Sequence, residues 1–62
     1  MIDFSGIGKG TQLRITGGIL AEVVENMNDG EWVRVRLIEV PHGRGAVGEE
    51  ELCHATDVME VA

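Results

Sequence analysis

The sequence predicts an all-β domain: a small barrel of about five strands with one short helical turn before the last strand. Three features carry that reading. Ile19 to Val40 (ILAEVVENMNDGEWVRVRLIEV) holds two β-prone runs joined by Asn28-Asp29-Gly30. Asp-Gly between alternating runs is a strong hairpin signal, because glycine accepts the positive φ that a tight reversal needs. Thr11 to Thr16 (TQLRIT) alternates with a period of two, the mark of a half-buried strand. The nine glycines fall at the boundaries between such runs, as short strands and tight turns require.

Taken in order, Met1 to Gly10 (MIDFSGIGKG) reads as an extended, glycine-rich lead-in. A helix there is disfavoured, since each glycine costs about 1 kcal/mol relative to alanine. Ile2 and Phe4 are expected to cover a barrel end or a neighbouring subunit. Within Thr11–Thr16, Leu13 and Ile15 point one way and Gln12, Arg14 and Thr16 the other. Gly17-Gly18 ends the strand.

The central hairpin admits two registers. A two-residue Asp29-Gly30 loop pairs Glu25 with Arg34, whereas a three-residue Asn28–Gly30 loop pairs Glu22 with Arg36 and Val23 with Val35. The second collects Ile19, Ala21, Val23, Val33, Val35 and Leu37 on one face, interrupted only by Glu25. A slip of one residue exchanges the faces, so the cleaner pattern is preferred. A strict two-residue turn at Gly17-Gly18 would match Ile15 to Leu20 and oppose this register, so a bulge or looser bend is expected there. The other face then carries Leu20, Glu22, Val24, Asn26, Trp32, Arg34, Arg36 and Ile38. Half of it is apolar, which suits a face covered by something else.

Pro41 ends the long strand because it lacks an amide proton. Pro41 to Gly48 reads as a loop with a short strand at Ala46-Val47. Glu49 to His54 (EEELCH) suits a single 3₁₀ or α turn, and Asp57 to Val61 a closing strand that buries Val58, Met59 and Val61.

This order resembles the SH3-like small barrels, including the KOW-type modules of translation and transcription proteins and the small photosystem accessory barrels. The resemblance rests on Gly10-Thr11-Gln12-Leu13-Arg14-Ile15, on the hairpin Ala21–Val24 and Val33–Leu37, and on Glu51-Leu52 before the last strand. It implies one domain over residues 1–62. The aromatic groove of peptide-binding SH3 domains is absent, with no tyrosine and only Trp32 and Phe4, so no proline-peptide site is expected. Type II dihydrofolate reductases are SH3-like chains of similar size that share an active site by association, but their motif residues are missing here.

Size and charge narrow the function. A chain of 62 residues buries only about 60% of the surface its unfolded form exposes, so the core is thin. Cys53 is the only cysteine, which excludes an internal disulfide and fits a reducing compartment. No apolar run approaches the ~20 residues of a membrane span. A cytoplasmic location and self-association are therefore the expectations. A net charge of −6 repels phosphate backbones and disfavours general nucleic-acid binding.

Local motifs add little chemistry. Gly6-Ile7-Gly8-Lys9-Gly10-Thr11-Gln12 resembles the end of the adenylate kinase phosphate loop, but Asp3 stands where the first glycine belongs and Gly10 follows the lysine. His42, Cys53 and His54 are metal-capable, yet zinc wants three or four converging ligands and adjacent residues rarely share an ion. Cys53 with a histidine would need a rigid cleft and an oxyanion hole for nucleophilic work. The run Glu49-Glu50-Glu51 reads as a solvated acidic turn. No catalytic residue, cofactor or metal is expected.

Trp32-x-Arg34-x-Arg36 is the sharpest feature, since alternate strand residues share a face. A ring beside two guanidiniums suits an acidic partner surface or base stacking with phosphate contact. Glu22 and Glu25 across the hairpin are equally placed to neutralise the arginines. The expected function is a non-catalytic assembly module, joining copies of itself or a protein partner through Leu20, Val24, Trp32, Arg34, Arg36 and Ile38. The alternative is RNA or single-stranded nucleic-acid binding through Trp32, Arg34, Arg36, Arg14 and Lys9.

Overall fold

The computed structural model describes residues 4–43 and 45–62. Five strands form one antiparallel sheet: β1 (Gln12–Ile15), β2 (Ile19–Asn26), β3 (Trp32–Glu39), β4 (Glu50–His54) and β5 (Val58–Val61), with a 3₁₀ turn at Ala55–Asp57. The spatial order is β4-β3-β2-β1-β5, so the last strand returns beside the first. No helix among the described residues is long and apolar enough to cross a membrane.

The expected closed barrel is not formed: β4 and β5 occupy opposite edges and do not pair. The sheet must nevertheless curl. Laid flat, edge strands four spacings apart would lie ~19 Å from each other. The three-residue turn that links them rises only about 2 Å per residue. It is pinned at both ends, by Ala55 N donating to Glu31 O (2.8 Å) and Thr16 N donating to Asp57 O (2.9 Å). A short strap thus draws the rims together where a ladder does not.

Curling encloses a core on the inner face. Ile19, Ala21, Val23, Val33, Val35 and Leu37 are all buried, as the alternation requires. Leu13 and Ile15 from β1, Cys53 from β4 and Ala55 from the turn complete it. Phe4 is fully buried, and Asn26 anchors its segment: Nδ2 donates to Phe4 O (2.9 Å) and to Ile7 O (2.8 Å). The lead-in therefore plugs the core, while Ile2 and Asp3 lie outside the described residues.

Both hairpin registers are present. Glu22 faces Arg36 and Val23 faces Val35, but nearer the loop Glu25 faces Arg34. A bulge at Val24 absorbs the difference and turns Glu25 out to solvent, which removes the charge from the inner face. Met27 N donates to Trp32 O (3.3 Å), so the loop spans the four residues 28–31 and not the expected three. Asn28 and Gly30 take positive φ (63° and 79°). The Asp29 carboxylate accepts from the amides of Glu31 and Trp32, both at 2.9 Å, and those two bonds hold its pKa below the ordinary carboxylate value. At the other bend Ile15 faces Ile19 and not Leu20, the looser turn that the hairpin register demands.

Three expectations fail in the second half. Ala46-Val47 is not a strand, and Glu50–His54 is a strand instead of a helical turn. Pairing of Arg36 with Glu50, Arg34 with Leu52 and Val33 with Cys53 overrides the poor strand propensity of the acidic run. The 3₁₀ turn follows it. In β5 only Val58, opposite Ile15, is half-buried against the core; Met59, unpaired where the register shifts, is 70% exposed, and Val61, opposite Leu13 near the end of this edge strand, is 49% exposed.

Candidate interaction face

The outer face is built on β3, which has β2 on one side and β4 on the other. Trp32, Arg34 and Arg36 line up along it, all exposed, as their spacing requires. Trp32 meets His54 of β4 edge-on, with ring centroids 4.7 Å apart. His54 is otherwise occupied in the strap, where Nδ1 accepts from Thr56 N (3.2 Å) and lies 2.9 Å from Thr56 Oγ1.

Each described arginine has an acidic neighbour. Arg34 lies 3.8 Å from Glu25, Arg36 donates to Glu50 at 3.1 Å, and Arg14 lies 3.9 Å from Glu39. These are exposed pairs that contribute about 0.2–1 kcal/mol each, so they matter less for stability than for cancelling charge. The expected neutralisation of Arg36 comes from Glu50, while Glu22 is its partner across the ladder.

Apolar residues flank this charge-balanced middle. Leu20, Val24 and Ile38 are half-buried, Val24 at the bulge and Ile38 where the ladder skips between Leu37 and Glu39. Leu20 faces Arg14 and Glu39, at the end of the face away from Trp32. Sequence reasoning missed Leu52. Once Glu50–His54 is a strand, Leu52 stands opposite Arg34 and diagonal to Trp32, 55% exposed. No local signal marked it, because a leucine after three glutamates carries no clear period.

A cleft of about 240 Å³ lies between β4 and the β1–β2 bend, lined by Ile15, Thr16, Ile19, Glu51, Leu52, Cys53 and Asp57. Burial pushes the Cys53 thiol up to about 11, and the charges of Asp57 and Glu51 push the same way. The thiol is thus protonated near neutral pH and makes a poor nucleophile. His42 is exposed in its loop, and no group of three potential metal ligands gathers among the described residues. In the glycine-rich lead-in, the amides of Ile7, Gly10 and Thr11 donate to the carbonyls of Phe4, Val23 and Gly8. They do not converge on a phosphate site.

No family model matches the chain, and searches of curated proteins and of solved structures return no match.

Proposed function

We propose that the protein is a non-catalytic assembly module that joins copies of itself through the outer face of its sheet. The observation that carries this reading is the balance of that face. Its arginines are offset by Glu25, Glu50 and Glu39, whereas Trp32, 39% exposed with its ring against His54, and Leu52, 55% exposed, present apolar surface diagonally across the β3–β4 ladder. A phosphate backbone needs free cations in an excess this chain lacks; a protein surface needs exposed apolar area with charges arranged around it. The contact would bury Trp32 and Leu52 at the centre, with Leu20, Val24 and Ile38 extending the apolar area and Arg34 and Arg36 meeting acidic groups at the rim.

Size-exclusion chromatography with light scattering tests it at micromolar concentration. The expected result is a dimer or larger species that Trp32→Ala and Leu52→Ser each shift to monomer, with the circular dichroism of a folded β-protein retained. A monomer in every case would overturn the proposal. Nucleic-acid binding is the competing outcome: it predicts oligonucleotide binding at low salt that Arg34→Ala and Arg36→Ala both weaken.

A further inference from the structure

The cleft behind β4 shares Leu52 with the outer face but has its own chemistry on the other side of that strand. Its floor is apolar, with Ile15 and Ile19 only 5% and 8% exposed. Glu51 and Asp57 stand on its walls, and neither takes part in an ion pair among the described residues. Among the described residues no basic side chain lines it. At about 240 Å³ it falls below the ~300 Å³ at which pockets for drug-sized molecules begin, and it suits a single long side chain. Beside it runs the edge of β4, whose backbone pairs, among the described strands, only with β3. An unpaired edge accepts an extended segment by strand addition.

We propose that this cleft takes a lysine or arginine side chain from an extended segment of a partner protein that lies along the β4 edge. The aliphatic stem packs on Ile15 and Ile19, and the cation sits between Glu51 and Asp57. Long cationic side chains divide in this way between apolar and polar surroundings. Charge decides the occupant. The edge is acidic through Glu49, Glu50 and Glu51, and the chain carries −6, so an acidic segment or a second copy of this edge is repelled. Among the described residues a metal ion would find only two carboxylates, short of the six to eight oxygens that calcium takes. The same two carboxylates lie close enough to the Cys53 thiol to add to the effect of its burial in raising its pKa.

The test is a titration of the ¹⁵N-labelled protein with the acetylated, amidated pentapeptide Val-Thr-Lys-Val-Thr. A second titration uses the same peptide with norleucine in place of lysine. The expected result is amide shifts centred on Ile15, Ile19, Glu51 and Cys53, with the lysine peptide bound about tenfold more tightly. The double variant Glu51→Gln, Asp57→Asn changes two exposed side chains and should fold normally by circular dichroism while losing the preference. Equal affinity for the two peptides, shifts centred elsewhere, no binding at low-millimolar peptide, or a preference that survives the double variant would each overturn the proposal. Trp32→Ala is expected to leave the titration unchanged, so failure here and failure of the outer-face assembly are told apart.

Discussion

Cys53 shows how one buried side chain reports on its surroundings. It faces the core from β4, and burial together with Asp57 and Glu51 raises its pKa from 9.0 to about 11. The folded protein therefore carries ~100-fold less thiolate than an ordinary cysteine at mildly alkaline pH. Alkylation by iodoacetamide should be slower by about that factor in the native chain than in the urea-unfolded one. The sign for stability follows from the raised value: the contribution is complete below pH 9.0 and is lost as pH rises towards about 11, because only the unfolded chain ionises in that window. Urea midpoints measured across the window should fall, and in a Cys53→Ala variant that component should vanish.

At the level of elements, the lead-in is a structural part of the domain. Phe4 is fully buried and its carbonyl is held by Asn26. Phe4→Ala should cost ~3–5 kcal/mol, about all that a core of this size supplies, so the variant should be largely unfolded by circular dichroism at ambient temperature. Lys9→Ala, on the exposed part of the same segment, should leave the urea midpoint unchanged. For Phe4 the sequence left a barrel end and a neighbouring subunit both open, and the structure places it in the core. The inner row from Ile19 to Leu37 was legible in the sequence, because apolar residues at strand spacing have few other uses. The β4 strand was not. Three consecutive glutamates read locally as a solvated turn, and only the pairing of Glu50 with Arg36 and of Cys53 with Val33, distant in sequence, makes them a strand. Leu52, half of the exposed pair in the candidate face, was lost with it. The apolar pattern of β5 was visible too, but not that Met59 and Val61 would be left uncovered at the rim of the sheet.

For the whole molecule, charge sets how association responds to salt. Copies that each carry −6 repel one another, and the contact proposed on the outer face is largely apolar. Added salt screens the repulsion, so sedimentation velocity should show the oligomer favoured at high ionic strength. Oligonucleotide binding would respond in the opposite direction, by releasing counterions less favourably. The three-residue strap between β4 and β5 also has a consequence for how chains combine. With one residue fewer, such as a deletion of Thr56, β5 should no longer reach its place beside Leu13 and Ile15 of its own β1. The same place on a neighbouring chain remains within reach, so the deletion should yield an intertwined dimer that exchanges final strands.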